Sequence, residues 1–336
     1  MHIETDYSPV DTILIAYPEG FKNEFENLVP FYDKLITKIP FELSIIVLVN
    51  NRSTREKLKV KFRHRSIEII VVDEWNDIWV RDIMGIGVNH SVVKPFYDVT
   101  YCNYLSKNRN LLKINASAEE IIKSVFNKGL IRIPITIDGG NIILNSKYAF
   151  ITRKIFNDNT GLNEEEIVTM LSEKLGVTPI IVPTNEDDSL GHIDGYMSFL
   201  NDETVAIVEY PKTEVFKNDN QYSSVLNKYC QELNLRVVTI QDRPVNQIIP
   251  CECDLKCQKK FCSYSANGNY INFLRLNNTI ILPEYTLPTL KETMYYNNVN
   301  EEVLSNLGFQ VIKINCDLLG QHGGSLRCLS YTCKSV

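Results

Sequence analysis

Five polar residues recur along this chain at a nearly fixed interval, and that interval limits the folds open to it. Asp82, Asp138, Asp194, Asn272 and Cys328 follow one another after 56, 56, 78 and 56 residues. Each sits on or beside a short apolar stretch: WVRDIMGIGV, ITIDGGNIIL, GHIDGYMSFL, NYINFLRLNN and GGSLRCLSYT. Three equal steps and one enlarged step imply one structural unit used several times, each copy presenting a polar residue from an equivalent strand end. If those ends converge, carboxylates, a histidine (His192) and a thiol share one pocket. That set points to covalent chemistry on a cationic substrate.

The local pattern gives the unit its content. Strand-like runs rich in Ile, Val, Leu and Tyr are Thr12–Tyr17, Leu43–Val49, Ile67–Val72, Asp82–Val88, Gly140–Leu144, Tyr148–Thr152 and Thr178–Val182. Later ones are Tyr196–Leu200, Thr204–Val208, Arg236–Ile240, Tyr270–Leu276, Thr279–Leu282 and Phe309–Ile314. Helical candidates are Asn23–Ile39, Ala118–Phe126, Asn163–Leu175, Ser223–Asn234, Leu287–Tyr296 and Glu301–Leu307. Asn163 followed by three glutamates reads as a helix start, and Gly176 and Gly308 stand where glycines close helices. Between Asp138 and Asp194 the order is strand, strand, helix, strand. A period of 56 residues with that content predicts a radial or stacked α/β repeat of ββαβ units, not a doubly wound sheet. No Pro-, Gly- or Ser-rich linker divides the chain, so residues 1–336 are expected to form a single domain. The long step holds 22 extra residues, among them the cysteine-rich stretch Pro250–Cys262, which reads as an insertion.

A net charge of −6 argues against a nucleic-acid partner, which needs a basic face. No apolar run approaches the ~20 residues that span a bilayer, and the N-terminus lacks the basic flank and apolar run of a signal peptide. A cytoplasmic protein with no membrane partner is expected. Nine cysteines, odd in number and unevenly spaced, make a poor disulfide framework. Cys251, Cys253, Cys257 and Cys262 could hold zinc, yet the paired C-x₂-C knuckles of structural sites are absent. Cys333 reads as structural, and Cys102, Cys230 and Cys316 as core or loop residues. The basic run Lys57–Arg65 reads as a solvated connecting segment.

Each group has a chemical use if the units converge. A carboxylate pair such as Asp82 and Asp194 matches the rigid N–H fork of a guanidinium or amidinium. The Cys328 thiolate would attack the electrophilic central carbon. His192, two residues from Asp194 and on the same face of an extended segment, could protonate the departing amine and then activate water. The carboxylates favour the neutral thiol, so the bound cation or His192 must help to ionise Cys328. Taken singly, each residue has an ordinary structural reading: a core cysteine, a hydrogen-bonded histidine, an Asp in a turn.

The segments W-x-R-D at Trp79–Asp82, D-G-G-N at Asp138–Asn141, G-H-I-D-G at Gly191–Gly195, Y-I-N-F at Tyr270–Phe273 and G-G-S-L-R-C at Gly323–Cys328 occur in this order. The set resembles the agmatine deiminase and bacterial peptidylarginine deiminase family, within the guanidino-group-modifying superfamily. Pro9–Pro18 also resembles the family's first strand. The resemblance implies a five-bladed α/β propeller with its site in the central channel. It implies Cys328 as nucleophile, His192 as general acid and base, and Asp82 and Asp194 as guanidinium-binding carboxylates. Trp79 would pack against the substrate, with Gly324 beside it in the substrate site. Asp138 would orient His192 or line the pocket, and Asn272 would lie near the nucleophile. The implied partner is a small cationic guanidino substrate, hydrolysed to a ureido product and ammonia through a thiouronium on Cys328, with no metal or organic cofactor. Agmatine is the expected substrate.

Three features depart from the family. Asp138 stands where agmatine deiminases generally carry Glu. Arg327 stands where they usually have His, as in many arginine deiminases, and Phe96–Tyr104 does not match the usual substrate loop. The alternatives are peptidyl-arginine, free arginine or a methylated arginine as substrate, amidino transfer to an amine, and a non-catalytic thiol- or zinc-binding protein of the same fold. A homo-oligomer is left open.

Overall fold

A computed structural model describes residues 2–21, 25–73, 75–99, 111–185, 187–188, 190–245 and 265–334. The cysteine-rich stretch Pro250–Cys262, with Cys251, Cys253, Cys257 and Cys262, lies outside the described residues, as does Cys102. Among the described residues the strands form five small sheets. The first holds Thr12–Ala16 (β1), Ser44–Val49 (β2) and Ile67–Val71 (β3). The second holds Ile86–Val88 (β4), Ser91–Phe96 (β5) and Gly129–Thr136 (β6). Then come Ile142–Leu144 (β7), Tyr148–Thr152 (β8) and Thr178–Val182 (β9) in the third, and Met197–Phe199 (β10), Thr204–Glu209 (β11) and Arg236–Gln241 (β12) in the fourth. The fifth holds Leu274–Leu276 (β13), Thr279–Glu284 (β14) and Gln310–Asn315 (β15). Ser330–Cys333 (β16) returns to the first sheet.

One plan recurs in all five, and the first sheet adds a fourth strand, β3, parallel to β2. A short first strand pairs antiparallel with a central strand, and the central strand pairs parallel with a third. Parallel neighbours need a crossover, and the helices Leu111–Ser124, Glu164–Leu175, Lys217–Glu232 and Leu290–Asn306 supply it. In the first sheet β16 is the short strand, with Thr12 opposite Cys333 and Ile15 opposite Ser330, so this unit is assembled from both ends of the chain. Central strands are covered on both faces: β1, β11 and β14 are buried along almost their whole length. Their sequences TILIA, TVAIVE and TIILPE are accordingly near-continuous apolar runs rather than alternating ones. The ββαβ order expected from the 56-residue period is therefore observed, within a mixed α/β fold.

Local chemistry sets the element ends. Asn163 accepts from the Glu166 N–H at 2.8 Å while the Glu166 side chain accepts from the Asn163 N–H, a complete capping box, and Gly176 closes that helix in the left-handed region at φ 71°.

Several expectations need correction. Asp82 lies in a helical turn, Val80–Ile83, and the strand expected over Asp82–Val88 begins only at Ile86. β5, β6 and β16 were not expected as strands. Pro95 and Pro134 mask the first two; the register of the β5–β6 pair shifts between Lys94 and Phe96, an irregularity where a strand proline is tolerated. β16 is short and partly polar, and only its distant partner β1 makes it a strand. Most of the basic run belongs to a helix, Arg52–Lys61, capped by Asn51 on the Thr54 N–H. Leu290–Asn306 is one continuous helix rather than two. No helix among the described residues is long and apolar enough to cross a membrane.

The first strands β4, β7, β10 and β13 each lead from a recurring polar residue to a hairpin turn. Across those turns runs the N-terminal segment. Ile3 bridges Val88, His2 exchanges hydrogen bonds with Asn89, the Tyr7 hydroxyl donates to Asp202, and Val10 pairs with the Asn277 side chain. Asp202 also accepts from the Ser146 N–H, which brings in the β7–β8 turn.

Directly after β12, Asp242 is fully buried and accepts from the Tyr270 N–H at 2.7 Å, fixing the approach to Asn272; its second oxygen has no hydrogen-bond partner among the described residues. Burial pushes its carboxyl well above the ordinary 3.8, although the backbone N–H groups of Tyr270 and Ile271 oppose this. The native state therefore binds a proton that the unfolded chain has released, so stability falls as pH rises above the ordinary carboxyl value. Asp242→Asn should remove that dependence. Chemical denaturation at a series of pH values above the ordinary carboxyl value should show native stability falling relative to the variant as pH rises, by at most about 1.4 kcal/mol per pH unit; parallel curves throughout would contradict a raised Asp242.

Candidate active site

Every sheet delivers its recurring polar residue from the turn just before its first strand. Asp82 comes from the helical turn before β4, Asp138 from the residue preceding the turn Gly139–Asn141, and Asp194 from the turn Ile193–Gly195. Asn272 precedes β13, and Cys328 precedes β16. Backbone turns can turn these side chains inward without breaking the sheet ladders that follow.

The turns converge at Gly140. A Cβ there would stand 2.6 Å from His192 Nδ1, 2.8 Å from Asp82 Oδ1 and 3.3 Å from Asp194 Oδ1, so only glycine fits. The Gly140 N–H donates to Asp82 Oδ1 at 2.7 Å. His192 Nε2 lies 2.8 Å from Asp138 Oδ2, and its Nδ1 lies 3.9 Å from Asp82 Oδ1. Lys154 Nζ reaches the same Asp138 oxygen at 2.9 Å and also binds Asp158. On the far side, Asp194 Oδ2 accepts from Arg327 Nη1 at 2.8 Å and stands 3.8 Å from Cys328 Sγ. The Cys328 thiol lies 3.3 Å from Asn272 Oδ1, which also accepts from the Arg327 and Cys328 N–H groups. Gly324 is held against the Trp79 ring, where an added Cβ would meet ring carbons at 2.5 Å.

Three carboxylates this close perturb one another and their neighbours. Burial alone would lower the His192 imidazole; the Asp82 and Asp138 carboxylates outweigh it and raise it to about 9, so the ring is an imidazolium at neutral pH. Asp82 is raised to about 7, by burial and by the Asp138 and Asp194 charges, with His192 and the Gly140 N–H only partly opposing. Asp138 moves the other way: burial would raise it, but the His192 contact and Lys154 hold it below the ordinary carboxylate value. Burial first, then the Asp194 and Asp82 charges, push the Cys328 thiol well above its ordinary value. The site thus pairs a neutral thiol with a charged imidazole.

A cavity of about 380 Å³ opens on this cluster. His192, Asp194, Asn272, Gly324 and Cys328 line it; Asp82, Asp138 and Trp79 are not among its walls and stand behind them, each nearly inaccessible. Asp187, Asp188 and Asp219 also line it, with Tyr196, Tyr210 and Phe216, and no Lys or Arg is among its described lining residues. Burial raises Asp188 and Asp219; the Asp187 and Asp188 charges raise Asp219 further, while the Asn185 side chain opposes. Among the described residues no group of His, Cys, Asp and Glu is arranged to hold a metal ion.

All eight residues singled out in the sequence therefore lie at or directly behind one cavity. Sequence reasoning missed the internal cations. Arg327 stood out only as a departure from the family pattern, and Lys154, inside the YAFITRK run after β8, carries no local signal of a partner sixteen residues earlier. Asp6 and the acidic part of the lining were also missed; the pair Asp187 and Asp188 was visible as charge but not as part of a pocket.

No curated protein sequence matches this chain. Among solved structures, a cysteine-to-serine variant of the C. jejuni agmatine deiminase with substrate bound is 18% identical, with a TM-score of 0.78 over 100% of this chain and 97% of that one. The agmatine deiminase of Enterococcus faecalis is 13% identical, with a TM-score of 0.74 over 98% and 94%. A dimethylarginine dimethylaminohydrolase carrying an adduct with S-methyl-L-thiocitrulline is 13% identical, with a TM-score of 0.55 over 96% and 100%. These likenesses are of fold. The family model for Porphyromonas-type peptidyl-arginine deiminases matches residues 2–333, nearly the whole chain, and the chain belongs to that family.

Proposed function

We propose that this chain is a guanidine deiminase acting on agmatine, with its five sheets arranged as the blades of one α/β propeller around the site. The observation that carries the reading is the cavity itself: a thiol, an imidazolium and the Asp194 carboxylate share its lining with Asp187, Asp188 and Asp219, and no Lys or Arg is among the described lining residues. A flat cation seated beside Cys328 would place N–H groups on Asp194, which matches its geometry and charge, with the Asp82 carboxylate adding negative charge from behind the wall. The Asp187, Asp188 and Asp219 carboxylates suit a second cation at the other end of the substrate. Free arginine would bring its own carboxylate towards Asp188 and Asp219, a repulsive pairing.

In this reading, the substrate supplies the positive charge that Cys328 lacks. Its guanidinium beside the sulfur stabilises the thiolate, and the released proton leaves the pocket or joins a neighbouring carboxylate. The thiolate attacks the central carbon and forms a C–S bond. The His192 imidazolium donates a proton to one terminal nitrogen, which departs as ammonia and leaves a thiouronium on Cys328. Neutral His192 then takes a proton from water as it attacks the same carbon. The C–S bond breaks and the remaining hydroxyl proton is lost to solvent, where the released ammonia takes up a proton as ammonium, leaving the ureido product and the thiolate. The net reaction is guanidinium plus water to urea derivative plus ammonium. Asp138, held by Lys154, keeps the imidazole oriented through both steps.

The decisive measurement is ammonia and ureido product from a panel of agmatine, arginine, methylated arginine and a peptidyl-arginine. Agmatine should be turned over with the highest kcat/KM; preference for peptidyl-arginine would overturn the substrate assignment but not the chemistry. Cys328→Ala should lower kcat by a factor on the order of 10⁴ or more, whereas Cys333→Ala should retain most activity. Turnover by the Cys328→Ala protein would sink the mechanism.

The charge states fix a pH profile. Below about 7 Asp82 takes up a proton and binds a cation poorly, and above about 9 His192 loses the proton it must donate. The kcat/KM for agmatine should rise through the first value, fall through the second and peak between them. A profile flat across both would contradict these roles. Asp219→Asn should raise KM for agmatine about three- to tenfold with kcat little changed, and a lowered kcat at constant KM would place Asp219 elsewhere in the reaction.

A further inference from the structure

Arg327 and Asp6 have no part in the chemistry above, yet they are the most heavily bonded charges beside it. Asp6 Oδ2 accepts from Arg327 Nε at 3.1 Å and Nη2 at 2.9 Å, a two-point grip on the guanidinium. Arg327 Nη1 donates to Asp194 Oδ2 at 2.8 Å, and its remaining hydrogens go to the Ile142 and Gly139 carbonyls at 3.1 and 3.4 Å. The side chain is 7% exposed. A second cation, Arg81, stands 3.4 Å from the other Asp6 oxygen and donates its backbone N–H to the Cys328 carbonyl.

The geometry points to Asp6 as a positioning residue for Asp194, acting through Arg327 from the hairpin-turn end of the sheets. This inference rests on the deiminase reading for what Asp194 does, and on coordinates alone for how Asp194 is held. Arg327 by itself would pair one-to-one with Asp194 and neutralise the carboxylate that must receive the substrate. Asp6 takes the larger share of that guanidinium, with two of its N–H groups against one for Asp194. Asp194 is thereby oriented while retaining negative charge. The N-terminal segment that carries Asp6 is itself tied to several hairpin turns, so the carboxylate arrives on a braced support. The catalytic pocket and the turn end of the sheets are joined by a single chain of charged hydrogen bonds.

Asp6→Asn should raise KM for agmatine about tenfold with kcat changed less than about threefold. It should also lower the pH midpoint for alkylation of Cys328 by iodoacetamide, because a buried negative charge near the thiol has been removed. Asp6→Glu, which keeps the charge, should restore both readouts towards native values. Arg327→Lys keeps the charge but cannot span two carboxylates, so it should reproduce the KM rise and serves where Asp6→Asn does not fold. Unchanged KM and midpoint with only a lower melting temperature would overturn the inference, as would a Glu variant no better than Asn. Alkylation needs no substrate, so an unshifted midpoint refutes the Asp6 relay, whereas absence of turnover by the native chain on every guanidine refutes the deiminase reading.

Discussion

Three carboxylates drawn into one buried site repel one another, and the rest of this structure is arranged around that repulsion. Taking a carboxylate out of water costs several kcal/mol even after relaxation, and neighbouring like charges add to it. The chain meets the cost unequally. Asp138 has Lys154 and the His192 ring, and Asp194 has Arg327. Asp82 has a backbone N–H and an imidazole nearly 4 Å away. Its carboxyl is accordingly held high while that of Asp138 is held low. Identical side chains at equivalent places in a repeat thus acquire different proton affinities from their neighbours, which is the physical basis for assigning them different work.

The repeat explains how such a cluster can be built at all. A single ββαβ unit offers one polar residue at one turn, which is a solvated side chain and nothing more. Units of the same geometry bring their equivalent turns to a common place, and Gly140 shows how tightly they meet. The first sheet uses β16 from the end of the chain and β1 from its start. Cys328 lies two residues before β16, so the proposed nucleophile is positioned only when β1 and β16 have paired. Fixing that non-local pairing carries an entropic penalty, and the buried faces of β1 and Tyr331 on β16 help to offset it.

Much of this was legible in the sequence because it is periodic. The 56-residue interval located Asp82, Asp138, Asp194, Asn272 and Cys328, and apolar runs found the central strands β1, β8, β11 and β14, which need no partner-specific information to be recognised. What escaped detection shares a different property. β16 is a strand because of a residue run more than three hundred positions away, and β5 and β6 are strands in spite of Pro95 and Pro134. The charge partners were hidden for the same reason. Asp6 and Arg327 are 321 positions apart, and neither sits in a pattern that names the other. Periodicity reports what each unit repeats; compensation of buried charge is made between units, where each case differs.

A thiol held neutral in the free protein is consistent with selectivity rather than a defect of the site. Burial, Asp194 and Asp82 all disfavour the thiolate, and Asn272 Oδ1 lies where the thiol proton can be donated. The groups that suppress the thiolate are the groups that would attract a cation in the proposed reaction. A guanidinium entering the cavity would cancel the charges that hold the proton on sulfur, so the same binding event that delivers the electrophilic carbon would release the nucleophile. A neutral or anionic compound of similar shape would leave Cys328 protonated and inert. Selectivity at the floor of such a pocket follows from the charge balance of the empty site, before any contact with the rest of the substrate is counted.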